Sequence, residues 1–374
     1  MRYLSFVVAI GAFTFAPRAA ACGGGLVTEQ GSLVTQQSQM ALMSVHTPEG
    51  DGGFVSTDIA VLLNVPSAEQ DFGVLIPLPA SGPPTIDAEP IDGAAFTVLE
   101  AGTRPLFTQE LSGGGGGGCG GCGYPGDQVG AGAEDNSRGV VAGPTVDVGP
   151  VTAQYLLADD ATALTAYLDD NGFALPDGGA EVVAAYIAQG NGFLAFKRST
   201  VEASSEPVSV GVHFTVEGDL RSVAFRMVSF GAPEVLPITL FIAADEPVGG
   251  ETPWTTIAVE DLDDDAAIAD YAGLVDTLTA ENDGKLFILE SLGDKARFED
   301  PTALLALVDD GAVISRLSAR IPRAALDADA SFKAEAPLPN TAAAAAAFRM
   351  PRNVDAAAIV LVAITLVMRR RRRS

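Results

Sequence analysis

A run of glycines at residues 113–118 interrupts the chain and limits what can fold around it. Glycine loses more backbone entropy on folding than any other residue and has no side chain to bury, so we expect no packed element there. The sequence stays rich in Gly, Pro and Asp as far as Pro150. We therefore predict a loop or linker over residues 113–150, between a region at 22–112 and a region at 151–336.

Short apolar runs bounded by Gly, Pro, Asp and Ser predict strands at residues 57–65, 72–76 and 96–99. Pro77 and Pro79 are expected to end the second strand, because proline cannot donate to a central ladder. The 22–112 region is therefore predicted to be β-rich, with mainly antiparallel strands.

Beyond the linker, apolar residues at i, i+3 and i+4 predict helices. Asp159 or Asp160 is expected to cap the first of them, and Asp300-Pro301 to begin the last. The apolar stripes lie at residues 164–168, 182–187, 268–278 and 304–308.

Alternating valines at residues 208–216 give the clearest strand pattern in the chain. Residues 223–227 continue the alternation after a turn at Gly218-Asp219, which predicts a hairpin. Further strands are predicted at residues 193–196, 238–242, 286–289 and, as the last one, 313–321. Because strands and helices alternate without a regular βαβ rhythm, the predicted fold class is α+β.

The N-terminal end is typical of a cleavable secretory signal peptide. Arg2 gives a short positive region, residues 4–16 an apolar segment, and Ala19 to Ala21 a small-residue cleavage site. We therefore predict a signal peptide at residues 1–21 and export of the rest. Cleavage would leave Cys22 at the mature N-terminus, as a thiol available for pairing or as a lipidation site.

The C-terminal end predicts a membrane segment. An Ala/Pro linker at 337–353 precedes an apolar stretch at 354–368, and Arg369 to Arg373 follow directly. The thirteen residues 356–368 would reach only about 20 Å as a helix, against a hydrocarbon core of about 30 Å. A single-pass transmembrane helix and a sorting tail cut by a membrane peptidase therefore both remain open. In either case the Arg-rich tail at 369–374 is expected to stay cytoplasmic.

Three cysteines, Cys22, Cys119 and Cys122, are the disulfide candidates of this exported chain. Cys119 and Cys122 can pair with each other, or either can pair with Cys22, which leaves one odd thiol. A redox CxxC site is disfavoured, because the pair lies in a glycine run and not at a helix N-terminus that would stabilise a thiolate.

The chain is strongly acidic, with a net charge of −26, and the body is more acidic still because five arginines lie in the tail. Such a surface repels nucleic acid, so no nucleic-acid partner is expected. Asp261, Asp263 and Asp265 resemble the start of a calcium loop, but Ala266 and Ala272 replace the glycine and glutamate that an EF-hand needs. The negative charge of the cluster can instead stabilise the N-terminus of the following helix. A looser Ca²⁺ site remains a hypothesis.

No catalytic residues are predicted. A Ser-His-Asp triad would need His46 or His213, and neither lies beside a nucleophile elbow. The alternation around His213 turns its side chain away from the apolar face. We expect a non-enzymatic envelope protein with a structural or interaction role. The alternatives are a surface hydrolase that uses carboxylates and a Ca²⁺-dependent binding module.

Several segments together resemble the DUF2330 family of uncharacterised exported bacterial proteins. They are Cys22-Gly23-Gly24, the strand at 72–79, Tyr167-Leu168 with Asn171-Gly172-Phe173, Tyr186-Ile187 with Gly190, and Arg316-Leu317 followed by Asp327. The resemblance implies an envelope protein with an N-terminal signal and often a C-terminal membrane segment. It implies no activity.

Overall fold

The computed structural model describes residues 23–28, 33–34, 38–48, 53–67, 72–105, 135–137, 139–199, 206–262, 264–295 and 303–335. All of them belong to one unit of the chain, Met1–Ala336. Pro337–Ser374 form a second unit, which lies outside the described residues. The predicted signal peptide, the predicted Ala/Pro linker at 337–353 and the predicted membrane segment therefore cannot be compared with the structure.

The body is built mainly from β-strands. These are β1 (Gly24–Gly25), β2 (Val27–Thr28), β3 (Gln39–His46), β4 (Ser56–Val65), β5 (Gly73–Pro79), β6 (Thr85–Ile86), β7 (Ile91–Asp92), β8 (Asp135–Ser137), β9 (Val140–Val148), β10 (Val151–Ala158), β11 (Phe173–Ala174), β12 (Asn191–Arg198), β13 (Val208–Glu217), β14 (Ser222–Val223), β15 (Val235–Ala244), β16 (Val248–Gly250), β17 (Thr255–Ala258), β18 (Leu286–Asp294), β19 (Val313–Pro322) and β20 (Ala330–Ala334). The helices are α1 (Gly93–Thr103), α2 (Ala161–Asp170), α3 (Gly179–Ala188), α4 (Phe225–Val228), α5 (Asp264–Glu281) and α6 (Ala303–Ala306).

The larger sheet is mixed and runs in the order β17-β18-β19-β15-β3-β4-β13, with β6 and β7 both paired to β13. Two neighbouring pairs are parallel, β17 with β18 and β15 with β3, and the others are antiparallel. This sheet combines strands from before and after the glycine run, so neither side can form it alone.

The smaller sheet is antiparallel and runs in the order β1-β5-β12-β10-β9-β8. It also combines strands from before and after the glycine run. Short strands complete the fold, with β2 paired to β11 and β20 lying between β14 and β16.

Helices cover one face of each large sheet. Phe96 and Leu99 of α1 and Leu304 of α6 pack against Ala60 and Phe241 of the larger sheet. On the same sheet, α5 packs against Leu286 and Ile288 of β18. Helices α2 and α3 cover the smaller sheet, where Leu164 and Val183 join Leu156 and Phe193 in one apolar cluster. The class is therefore a β-rich α+β fold, as predicted.

Most elements predicted from periodicity are confirmed. The alternating valines form β13, and the stripes at 164–168 and 182–187 form α2 and α3. Asp160 is the N-cap of α2, and its carboxylate accepts a hydrogen bond from the Ala163 amide at 2.8 Å. The predicted helix at 268–278 is broken at Asp270, whose carboxylate accepts from the Gly273 amide and so caps a second helical piece.

Two strand predictions were wrong. Residues 96–99 belong to α1, because Asp92 caps this helix and Phe96, Leu99 and Thr103 lie on its buried face at a helical spacing. The hairpin of residues 208–216 with 223–227 does not form. Instead β13 pairs with β4, while β14 pairs with β20 and Phe225 begins the single turn of α4.

The prolines do not end β5, which continues to Pro79 and pairs with β12 along its whole length. The partner on its other edge, β1, reaches only Val74 and Leu75. Alternation along β5 turns the nitrogens of Pro77 and Pro79 toward that edge, beyond the end of β1, where no ladder hydrogen bond is lost.

Other boundaries also differ from the prediction. Strand β9 lies in the segment expected to contain no packed element, and β20 follows the strand expected to be the last. The predicted Asp300-Pro301 helix start lies outside the described residues, and α6 is a single turn that ends before Val308.

Among the described residues, no helix has the length and apolar character needed to cross a membrane. The apolar stretch at 354–368 lies outside this part of the chain.

Candidate functional site

Both histidines of the chain meet at one carboxylate, that of Asp58, on the larger sheet. Asp58 lies on the face of β4 opposite the buried Thr57 and Ile59. Register pairs it with Ser44 on β3 and Thr215 on β13. His46 and His213 lie two residues from those partners on the same face, and diagonal neighbours lie within reach of long side chains.

Carboxylates surround both imidazoles. The two nitrogens of His46 lie 2.8 Å from Asp309 and 3.0 Å from Asp58. The nitrogens of His213 lie 3.3 Å from Asp58 and 3.6 Å from Asp87, which are ion-pair contacts longer than a hydrogen bond. The cluster is therefore a row of alternating carboxylates and imidazoles that ties the loops of Asp87 and Asp309 to the sheet.

The charges in this cluster support one another. Burial alone would raise the pKa of Asp58, but contacts with His213, Thr215 and His46 outweigh it, so the pKa lies below its usual value. Burial would lower the pKa of His213, yet the Asp58 and Asp87 carboxylates outweigh it and the pKa is raised. The contact thus favours the protonated form of His213 and the ionised form of Asp58.

Neither histidine has the surroundings of a general base. Every imidazole nitrogen faces a carboxylate, which leaves none directed at an open pocket. His213 does turn away from the apolar face of β13, as its alternation predicted. No local pattern in the sequence indicates that the two histidines share Asp58.

A second candidate site is a small apolar pocket between the smaller sheet and α2. Its floor is formed by neighbouring strands that contribute Thr152, Gln154, Leu156, Ala195 and Lys197. Its cover is formed mainly by Leu26, Tyr167, Leu168, Asn171 and Phe173.

The polar side chains of the pocket bond mainly to the protein itself. Gln154 donates to the Gly143 carbonyl at 2.9 Å and accepts from the Tyr167 hydroxyl at 2.9 Å. Asn171 donates to the Tyr167 carbonyl, and Thr152 donates to Asp147. These bonds hold the walls in position and leave the apolar side chains to line the space.

Two of the segments that carry the family resemblance, the strand at 72–79 and the α2 motif, meet beside this pocket. Gly73 lies beneath Phe173, where an added Cβ would come within 2.6 Å of the ring. Gly24 lies against the carbonyl of Met227, with no room for a side chain. Tyr167 and Asn171 come from the α2 motif. The glycines are therefore explained by close approach of the backbone to neighbouring elements.

A buried ion cluster links α1 to the centre of the larger sheet. The Nε of Arg316 lies 2.8 Å from a Glu290 oxygen, and both side chains are almost fully buried. Arg316 also donates to the Glu100 carbonyl and the Thr103 hydroxyl at the end of α1. Tyr271 donates to Glu290 at 2.5 Å, and burial together with this carboxylate raises the tyrosine pKa.

Asp329 is the centre of another cluster. It accepts hydrogen bonds from the Tyr186 hydroxyl at 2.7 Å and from the Arg226 guanidinium at 2.7 and 3.1 Å. Its backbone carbonyl accepts from the indole of Trp254, which packs against Phe225. Trp254 is thus a buried packing anchor.

The residues predicted as sites mostly lie outside the described part of the chain. This holds for Cys22, Cys119, Cys122, Asp263 and the side chain of Asp265. Asp261 is exposed at the end of a short 3-10 helix, Val259–Asp261, just before α5. Within the described ranges, no group of three or more His, Cys, Asp or Glu side chains is arranged to hold a metal ion. The disulfide and calcium predictions remain predictions.

Fold and sites together define a two-sheet α+β body with an apolar pocket and internal ion clusters. A family model described as an uncharacterized protein conserved in bacteria (DUF2330) matches residues 16–229, more than half of the chain. The protein belongs to this family. Arg316, Leu317 and Asp327, which also carried the resemblance, lie beyond the matched range. Comparison with curated proteins and with solved structures gives no match.

Proposed function

We propose that the protein is an exported, membrane-anchored bacterial cell-envelope protein whose body acts by binding and not by catalysis. One observation carries the proposal. The first described strand begins at Gly24, three residues after the predicted cleavage site at Ala21, and the last ends at Ala334, just before the predicted linker. The strands of the body thus lie between the predicted signal peptide and the predicted tail.

The charge distribution supports an orientation with the body outside and the tail inside. Arg369 to Arg373 favour the cytoplasmic side of the membrane. The acidic body is repelled by anionic headgroups and nucleic acid, so it extends into the periplasmic or extracellular space. The membrane is the partner of the C-terminal segment, and a protein or envelope ligand is the partner of the body.

The pocket supports binding better than hydrolysis. A hydrolase that uses carboxylates needs two of them directed into one open site. Among the residues described, none of those lining the pocket carries a carboxylate. The calcium-binding alternative depends on Asp261, Asp263 and Asp265. Calorimetric titration with Ca²⁺ at millimolar concentrations tests it, and absence of heat removes it.

Fractionation of the native bacterium tests the anchoring. The full chain is expected in the membrane fraction and to resist extraction with alkaline carbonate. A variant that ends at Asn353 is expected in the soluble exported fraction. If both forms stay in the cytoplasm, export is wrong. If both are exported and soluble, the tail does not anchor.

A further inference from the structure

We propose that the row of carboxylates and imidazoles on the larger sheet is a pH-sensitive latch. Its protonated form holds two surface segments against the sheet, the turn at 309–311 between α6 and β19 and the loop at 87–90 between β6 and β7. Loss of the imidazole protons releases both segments. This inference goes beyond the binding role proposed above and does not depend on export or anchoring.

Each imidazole of the latch faces two carboxylates, one through each ring nitrogen. His46 lies 3.0 Å from Asp58 and 2.8 Å from Asp309. His213 lies 3.3 Å from Asp58 and 3.6 Å from Asp87. A protonated imidazole has two N–H donors, whereas a neutral imidazole has one donor and one lone pair. Deprotonation therefore leaves one nitrogen of each histidine with its lone pair directed at a carboxylate oxygen.

The two outer carboxylates are the ones that leave. The Asp309 and Asp87 side chains are 59% and 52% exposed, so water can replace the imidazole that each of them loses. The Asp58 side chain is only 20% exposed and is also held by the hydroxyl of Thr215. The remaining N–H of each neutral imidazole stays on Asp58, because an inner carboxylate without donors is more costly than an outer one in contact with water.

Repulsion between the carboxylates acts in the same direction. Two positive charges separate three negative charges when both imidazoles are protonated, and none separates them when both are neutral. Among the described residues, no lysine or arginine forms an ion pair with any of these three carboxylates. Lys295 pairs instead with Asp310, at 2.7 Å. Glu89, whose amide donates to Asp87, adds a further negative charge to the loop.

The surroundings of His213 give the direction of the switch. Burial would lower the pKa of this imidazole, but the Asp58 and Asp87 carboxylates outweigh burial and raise the pKa. The contacts therefore stabilise the protonated form, and their contribution is lost as pH rises through the folded-state pKa. The latch is closed in acid and open in alkali.

The ends of both segments are anchored by other contacts, so the release is local. Val308 and Ala312, which flank the turn, are buried in the apolar cluster beneath α1 and α6. Ile91, which follows the loop, belongs to the same cluster. The body therefore stays folded while the turn and the loop open.

Hydrogen–deuterium exchange of the full chain in lipid nanodiscs, resolved to single amides by mass spectrometry, tests the latch. The first reporter is the Ala312 amide, which donates to the Asp309 carbonyl at 3.3 Å. The second is the Asp87 amide, which donates to the His213 carbonyl at 3.1 Å. After correction for the chemical rate, both are expected to exchange about fivefold faster at pH 8.5 than at pH 5.5, as for the loss of a partly exposed ion pair.

A turn without histidine is the internal control. The Lys285 amide donates to the Asn282 carbonyl at 2.9 Å, and neither residue contacts the latch. Its corrected exchange rate is expected to be the same at both pH values.

Three variants separate the two halves of the latch. At pH 5.5, His46→Gln is expected to speed exchange of Ala312 about fivefold and to leave Asp87 within about twofold of wild type. His213→Gln is expected to do the reverse. Asp309→Asn is the matched variant, because its amide can donate as well as accept and so keeps its contact with a neutral imidazole. Exchange of Ala312 in this variant should no longer depend on pH.

Three results would overturn the proposal. The first is equal corrected exchange of both reporters at the two pH values in the wild type. The second is a rise at the Lys285 control as large as that at the reporters, which would mean a general loss of stability. The third is an equal effect of His46→Gln on both reporters. If a variant does not fold, the wild-type comparison across pH still decides.

Discussion

Replacing Asp329 by alanine tests whether its cluster holds the end of the body to α3 and α4. The substitution removes the acceptor for the Tyr186 hydroxyl and for three nitrogens of Arg226, the backbone amide and two of the guanidinium. Tyr186 is 1% exposed, so its hydroxyl would lose its partner in the interior. The guanidinium carbon of Arg226 also lies 4.7 Å from the centre of the Tyr186 ring. The guanidinium would therefore stay beside the tyrosine after both groups have lost their carboxylate partner.

The expected cost follows from the burial of these groups. Breaking a buried ion pair costs about 3–5 kcal/mol, and the Asp329 and Arg226 side chains are partly exposed, so the lower end applies. We predict a loss of about 3 kcal/mol in the free energy of unfolding and a fall of about 5 °C in Tm. Urea unfolding followed by the fluorescence of Trp254 measures the loss in free energy of unfolding. Trp254 is the sole tryptophan and lies beside the cluster.

Two control variants distinguish the loss of the Asp329 cluster from the loss of a single hydrogen bond and from the loss of a surface ion pair. Tyr186→Phe removes one hydrogen bond and should cost about 1 kcal/mol. Asp327→Ala, two residues from Asp329, removes a surface pair with Lys285 and should cost under about 1 kcal/mol. A cost for Asp329→Ala no larger than that for Asp327→Ala would refute the argument.

Three further predictions follow from the other sites. The pKa of His213 is higher in the folded protein than in the unfolded chain, so its protonated form stabilises the fold at low pH and this stabilisation is lost as pH rises through the folded-state pKa. In urea unfolding, His213→Asn should therefore lower the free energy of unfolding by about 1 kcal/mol at pH 5.5 and by less at pH 8.5. An equal cost at both pH values would contradict it. Arg316→Ala leaves Glu290 buried and unpaired and should cost about 3–5 kcal/mol, much of which Glu290→Gln should restore in the double variant. Thermal unfolding of the single and double variants checks this, and additive losses would argue against the pair. Gly24→Ala should destabilise by more than about 2 kcal/mol, since its Cβ would overlap the Met227 carbonyl, while Gly82→Ala, with open space around it, should be neutral. Similar melting temperatures for the two glycine variants would exclude the clash.

Long local patterns predicted their elements well. The alternation at 208–216 specifies β13, because apolar and polar residues follow each other in turn, as a strand with one buried face requires. The α2 helix was predicted with its cap, Asp160, since both the cap and the stripe are local signals. The short apolar window at 96–99 fits a strand or a helix equally, and the Asp92 cap that decides it lies four residues earlier.

The sites depend on pairings that a single sequence does not contain. His46 and His213 meet at Asp58 only because β4 lies between β3 and β13 in one particular register. Nothing local indicates that β15 lies parallel to β3. The tolerance of Pro77 within β5 likewise depends on how far the neighbouring β1 extends.

Mass spectrometry of the protein purified from its native membrane fraction tests the central claim of export and anchoring most directly. We predict a mature chain that begins at Cys22, whose mass also reports any lipid or disulfide on that residue. The apolar segment at 354–368 is expected to be present, or cut at one defined position. Recovery of the chain from the cytoplasm with its first 21 residues intact would contradict the account.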